Sequence, residues 1–190
     1  MYPFGRLAWH RWQARRAPPL GPFDLHHITT RIMPWDIDPF GELNNGRTLT
    51  LYDLGRLALF DRMGLEARIV ARGWRPTIAG ISVRYRRRIT VFDTLQMASR
   101  VIGWDARFFY MDQSLWRAGE CCNQILARAA FTTGVGIVPT DEVAQTAGWQ
   151  VSAPPLPDWV RAWSQAEGQR PWPPEAGAPI DARPPPHRRP

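Results

Sequence analysis

The chain has 190 residues and a net charge of +7, and all 24 of its basic residues are arginine. This length suits one domain with a substantial hydrophobic core. No stretch approaches the roughly 20 apolar residues of a membrane span. The basic balance favours polyanionic partners, whether nucleic acid, an anionic membrane surface or a phosphorylated ligand.

The cysteine pattern argues against a disulfide or a metal site. Cys121 and Cys122 are adjacent, and neighbours in a strand point to opposite faces and rarely bridge. No histidine lies at ligand spacing from them. We therefore expect reduced thiols and no metal. No cofactor is expected either, and the sequence has no GxGxxG or Walker loop. Because the N-terminus also lacks the apolar core of a secretory signal, we expect a cytoplasmic protein.

Residues 1–22 form a basic, aromatic N-terminal arm. It contains Trp9, Trp12 and several arginines, and a Pro/Gly-rich run at 18–22 separates it from the rest of the chain. An amphipathic segment of this composition could make weak contact with a membrane surface. The favoured alternative is that it packs on the domain or on a partner subunit.

Residues 23–138 carry the pattern of one α+β domain. Apolar–polar alternation predicts a first strand at 25–33, and a helical period with a broad apolar face predicts a long helix at 45–63. Gly64 is well placed to end that helix. Further strands are predicted from Thr77 onward, at 95–104, at 108–116 and at 120–133. The expected fold is an antiparallel sheet packed on one long helix.

The loop at 35–46 joins the first strand to the helix and brings Asp36 and Asp38 to the helix start. A helix N-terminus has unpaired backbone N–H groups and a partial positive charge, which suit a developing oxyanion. A nearby carboxylate could act as nucleophile or general base. The alternative is structural, with the aspartates shaping a turn and the asparagine pair at 44–45 capping the helix.

The motif in this loop resembles the active-site loop of hot-dog-fold acyl-CoA thioesterases, the 4-hydroxybenzoyl-CoA thioesterase superfamily. The residues that carry the resemblance are Asp36, Asp38, Pro39, Gly41, Asn44 and Asn45, followed by the amphipathic helix. The run Asn44-Asn45-Gly46-Arg47 is similar to the bacterial thioesterase-like branch. The resemblance covers about 23–126 and continues in 72–76 and in Gly103-Trp104. It implies a hot-dog fold, in which the sheet wraps around the central helix.

The resemblance also implies roles for individual residues. Asp38 takes the position of the catalytic acid, the backbone N–H of Asn45 that of the oxyanion donor, and Gly41 that of a residue allowing close backbone approach. Asp36 and Asn44 take supporting, substrate-binding positions.

Two positions depart from the family pattern. Glu42 stands where many relatives have histidine, and Thr48 stands where tyrosine is usual. Glu42 could replace the histidine as a base in the substrate site, lie in solvent, or mark a lost activity.

A cluster of arginines follows the second predicted strand. Arg84, Arg86 and Arg87, with Arg88, could hold the phosphates of coenzyme A, in this family often across a subunit boundary. The alternative is a solvated strand edge that discourages edge-to-edge pairing. Nucleic-acid binding is not expected, because no aromatic-interleaved motif accompanies the cluster.

The sequence therefore predicts an acyl-CoA thioesterase, with a non-catalytic protein that binds acyl-CoA or acyl chains as the alternative. A hydratase is less well supported, since no His/Asp pair can be placed. The resemblance implies a homodimer with a continuous sheet, or a dimer of such dimers. Residues 139–168 are predicted to form a helical extension. Residues 169–190 are rich in Pro and Arg and are expected to be disordered.

Overall fold

The structure is a computed structural model that describes residues 2–174, so most of the predicted disordered tail, residues 175–190, lies outside the described residues. The helices are α1 (Phe4–Arg16), α2 (Asn45–Arg62), α3 (Leu65–Ala71), α4 (Thr140–Ala147) and α5 (Asp158–Gln169). The strands are β1 (His26–Arg31), β2 (Arg75–Tyr85), β3 (Thr94–Trp104), β4 (Phe109–Arg117) and β5 (Glu120–Thr132).

The chain divides into two compact units, with the boundary between Pro155 and Leu156. The first unit contains α1 to α4 and all five strands, and α5 is the helix of the second. The predicted helical extension at 139–168 is thus shared between the units.

The five strands form one antiparallel sheet in the order β1-β3-β4-β5-β2. The long helix α2 lies against one face of this sheet, which is the predicted α+β arrangement and the hot-dog fold. Strands β3, β4 and β5 are central and follow one another through short turns. Strand β2 lies at an edge and, among the strands of residues 2–174, pairs with β5 alone, although it comes directly after the helices in the chain.

The core lies between α2 and the central strands. Apolar side chains of the helix pack against buried side chains of the sheet. The helix residues, each at most 1% exposed, are Leu51, Leu54, Ala58 and Leu59. The sheet residues, all fully buried, are Met97, Met111, Leu115 and Ile125. Burying each large apolar side chain is worth about 1.5–3 kcal/mol. Gly55 lets the helix approach closely, since a Cβ there would overlap the Met97 sulfur and lie 3.0 Å from Ser99 Oγ.

The N-terminal arm is a helix packed along α2. His10 and Ala14 are buried on the inner side of α1. The hydroxyl of Tyr2 donates to Asp53 Oδ2 at 2.9 Å, and Arg11 Nε donates to Asp61 Oδ2 at 2.7 Å. Of the two packing partners that the favoured prediction allowed, the domain or a partner subunit, the structure shows contacts with the domain.

Helix α3 was not predicted. It has only seven residues and follows α2 after Gly64, whose φ of +62° ends the long helix as the sequence predicted. Within residues 2–174, none of the helices combines the length and apolar character that crossing a bilayer requires.

Candidate active site

The start of α2 presents a free backbone donor. The side chain of Asn44 caps the helix by accepting a hydrogen bond from the Arg47 N–H at 3.1 Å. Asn45 is the first helical residue, and its own N–H has no acceptor within the described part of the chain. The positive end of the helix dipole is therefore available at Asn45.

A cleft of about 380 Å³ opens at this helix start. One wall comes from the loop and α2, and the other from the end of β2, the segment after it and β5. Its lining residues are Glu42, Leu43, Asn45, Thr48, Tyr85, Arg86, Arg87, Arg88, Ile89 and Asn123.

Asp36 anchors the loop and is fully buried. Its Oδ2 accepts hydrogen bonds from Arg6 Nη2 at 2.7 Å and from the Met33 N–H at 2.9 Å. Its Oδ1 lies 3.2 Å from Arg47 Nε. Its backbone oxygen accepts from the Asn44 N–H at 2.9 Å. Asp36 thus ties α1, the loop and α2 together, and it does not line the cleft.

Asp38 shapes the turn that follows. Its Oδ1 accepts from the Phe40 N–H at 2.9 Å and from the Glu42 N–H at 3.2 Å. Gly41 donates its N–H to the Asp38 carbonyl at 3.1 Å and has φ +79°. A Cβ at Gly41 would meet nothing within 4 Å in this chain. The positive φ, and not close packing, therefore favours glycine at this position. Asp38 does not line the cleft.

Glu42 is the carboxylate that lines the cleft. Its side chain is about one-third exposed, and its Oε1 lies 3.0 Å from Arg88 Nε. The sequence left open whether this residue faces solvent or the substrate site. In the structure it lies beside the free N–H of Asn45, on the wall of the same cleft.

The arginine cluster separates into two groups. Arg86, Arg87 and Arg88 line the cleft, and Arg87 also pairs with Glu120. Arg84 lies within β2, where successive side chains alternate between faces, so it points away from the side on which Tyr85 lines the cleft. Three of the four arginines are thus placed together and Arg84 is not.

Sequence reasoning did not single out two polar residues of the cleft. Asn123 on β5 is only 3% exposed, and the Tyr52 hydroxyl hydrogen-bonds to its side chain. Tyr85 is the register partner of Asn123 on the neighbouring strand, and burial raises the pKa of its hydroxyl. The sequence signal that could have identified Asn123 is the presence of a polar residue within the apolar run of β5.

The thiols of Cys121 and Cys122 are both free. Among residues 2–174, no group of three His, Cys, Asp or Glu side chains is arranged to hold a metal ion.

The antiparallel sheet around α2, with a cleft at the helix start, defines a hot-dog protein. The family model of the thioesterase-like superfamily matches residues 32–164. The chain belongs to this superfamily.

The chain is also similar to known proteins and to solved structures. Protein THEM6 from Xenopus laevis is 33% identical over 88 residues, which are 46% of this chain and 42% of the frog protein. Protein THEM6 from Drosophila melanogaster is 27% identical over 132 residues, which are 69% of this chain and 67% of the fly protein. The match therefore spans less than half of the frog protein's length.

Among solved structures, a 1,4-dihydroxy-2-naphthoyl-CoA thioesterase from Synechocystis aligns with a TM-score of 0.57. The alignment covers 67% of this chain and 98% of that one at 13% identity. At this identity the likeness is one of fold.

Proposed function

We propose that the protein is an acyl-CoA thioesterase that binds its thioester at the start of α2. The observation that carries the proposal is the free N–H of Asn45, a residue that lines one cleft together with one carboxylate and three arginines. A backbone donor at a helix N-terminus suits the oxyanion of acyl transfer. Arginines suit the phosphates of coenzyme A, because guanidinium groups pair well with phosphate oxygens.

In the proposed reaction, the Asn45 N–H polarises the thioester carbonyl and Glu42 takes a proton from water. The resulting hydroxide forms a C–O bond at the carbonyl carbon, giving a tetrahedral oxyanion that the N–H stabilises. Collapse breaks the C–S bond and releases the coenzyme A thiolate, which takes up the proton. The products are a free carboxylic acid and coenzyme A.

The choice of base rests on which carboxylate faces the cleft. Glu42 lines it, whereas Oδ1 of Asp38, the base that the family resemblance predicts, already accepts two backbone hydrogen bonds within the turn. We therefore propose Glu42 as the base and Asp38 as the residue that holds its loop.

The experiment is thiol release from short, long and aromatic acyl-CoAs by the wild type, Glu42→Gln and Asp38→Asn. We expect Glu42→Gln to lower kcat by roughly 10²- to 10⁴-fold. Asp38→Asn is the matched control, because an amide Oδ1 can still accept both turn hydrogen bonds. Loss of activity only in Asp38→Asn would move the base to Asp38. A folded wild type that releases no thiol from any acyl-CoA would remove the thioesterase proposal.

The second candidate is a protein that binds acyl-CoA without hydrolysing it. The ion pair between Glu42 and Arg88, at 3.0 Å, favours this alternative, since it already engages the carboxylate that lines the cleft. Calorimetric binding of acyl-CoA without thiol release would identify it.

We further propose a homodimer with a sheet continuous across the two copies. The support is β2, an edge strand of 11 residues that is exposed along most of its length. Since an exposed edge is a template for pairing and β2 ends at the cleft, a second copy would border the substrate site. Light scattering tests this, and a monomer at working concentration would contradict it.

A further inference from the structure

The outer side of α1 is aromatic. Phe4, Trp9 and Trp12 are 69%, 54% and 47% exposed, while His10 and Ala14 on the inner side are buried against the domain. The rings of Trp9 and Trp12 stack with their centroids 5.0 Å apart. We call Phe4, Trp9 and Trp12 the aromatic face. Adjacent exposed aromatics of this size are unusual for a surface that meets only water.

Further aromatics extend this surface toward the loop before α2. The ring of Tyr2 lies 5.1 Å from that of Phe4. Tyr2 and Trp35 line one common cleft, and Trp35 is 64% exposed. The exposed aromatics therefore run from the first helix to the loop that carries Asp36.

The same helix is basic. It contains four arginines and no acidic residue. The Arg16 guanidinium lies 3.7 Å from the ring centre of Trp12 and has no acidic partner in the described part of the chain. Arg15, at the same end, is 61% exposed and lies 3.5 Å from Asp61 and 3.4 Å from Glu66. Indole rings favour the headgroup level of a bilayer, and guanidinium groups pair with lipid phosphates.

We propose that the aromatic face of α1 docks on the surface of an anionic lipid bilayer, with Arg16 at the phosphates. A second copy of the chain is the less suitable occupant. A two-fold contact through this face would bring two copies of Arg16, which has no acidic partner in the described part of the chain, to one interface. This proposal does not depend on the thioesterase activity.

The test is sedimentation of the full chain with vesicles of phosphatidylcholine alone and with an equimolar mixture of phosphatidylcholine and phosphatidylglycerol. We expect the wild type to bind the mixed vesicles more strongly. The double variant Trp9→Ser, Trp12→Ser is expected to lose roughly tenfold or more in partitioning, because it removes two interfacial indoles. Arg16→Gln is expected to lose roughly fivefold on the mixed vesicles only.

The matched control is Trp159→Ser, the same change at a tryptophan of α5 that is 51% exposed. It is expected to bind as the wild type does. Thermal unfolding checks that each variant is folded. The proposal is overturned if the wild type does not bind mixed vesicles or if the double variant binds equally well. A lower mass of the double variant by light scattering would instead assign the face to contact between copies.

Discussion

Arg6 Nη2 lies 2.7 Å from Asp36 Oδ2 and joins the first helix to the loop that leads into α2. The Asp36 side chain is fully buried, and that of Arg6 is 18% exposed. A buried carboxylate needs such partners, because leaving it unpaired costs free energy. The geometry of the candidate site therefore depends on a residue about 30 positions before it.

We expect Arg6→Gln to lower the free energy of unfolding by about 1–3 kcal/mol, because Asp36 loses a charged donor and keeps Arg47 and the Met33 N–H. Urea unfolding measures this. Arg15→Gln is the control, since Arg15 is 61% exposed and lies 3.5 Å from Asp61, and it should cost less than about 0.5 kcal/mol. Equal losses in the two variants would contradict the special role of Arg6.

Gly55→Ala tests the close approach of α2 to the sheet. The added methyl group would overlap the Met97 sulfur and crowd Ser99 Oγ. Overpacking destabilises a protein by about 1–3 kcal/mol. The higher helix propensity of alanine relative to glycine offsets at most about 1 kcal/mol of this. We expect a net loss of about 1–2 kcal/mol in denaturant unfolding.

Gly5→Ala is its matched control, because a Cβ at Gly5 in α1 would meet nothing within 4 Å. That variant should be as stable as the wild type or slightly more stable. If Gly55→Ala were also stabilising, the helix would not be held as closely as described.

His26 gives the fold a sensitivity to acid. Burial, followed by the positive charge of Arg62, lowers the pKa of His26 to about 4. The unfolded chain, with a pKa near 6.5 for this group, binds more protons between about pH 6.5 and pH 4. The contribution of His26 to stability is therefore full above about pH 6.5 and is lost as the pH falls toward 4.

In this window the unfolding free energy of His26→Gln should depend less steeply on pH than that of the wild type. The difference in slope should correspond to the uptake of up to one proton on unfolding. His27→Gln is the comparison, because His27 is exposed on the same strand. Denaturant unfolding at several pH values measures the slope of the unfolding free energy against pH for each variant. The same slope in both variants would show that His26 does not cause the effect.

The arginines at the cleft are expected to act in substrate binding. Arg86→Gln should raise KM for an acyl-CoA by roughly 3- to 10-fold with little change in kcat, since an exposed phosphate contact is worth about 1 kcal/mol. Arg84→Gln, the same change two residues earlier and within β2, at a position that does not line the cleft, should leave KM unchanged. A larger effect at Arg84 would place the phosphates outside the cleft.

The sequence predicted much of the fold because its patterns are local. The apolar period of α2 indicated a helix at 45–63, against Asn45–Arg62 in the structure, and Gly64 ended it as predicted. Period-2 alternation located the strands within a few residues. These signals arise within one helix or strand and need no knowledge of distant contacts.

The candidate site was less predictable because its geometry depends on distant residues. The place of Asp36 is decided by Arg6, which lies 30 residues earlier and which no local pattern connects to the loop. Asn123 enters the cleft through strand pairing and its contact with Tyr52, 71 residues earlier. Arg84 and Arg86 look equivalent in sequence, and what separates them is the end of β2 after Tyr85.

The packing of α1 changes where this domain begins. Composition suggests a start at residue 23, after the Pro/Gly run, yet a chain trimmed there would lose Tyr2, Arg6, Arg11 and Arg15. Asp61 would then lose both of its arginine partners, and Asp36 would keep only one. The apparent linker therefore does not mark a place where the protein can be shortened. The smallest piece that preserves the loop must include the first helix.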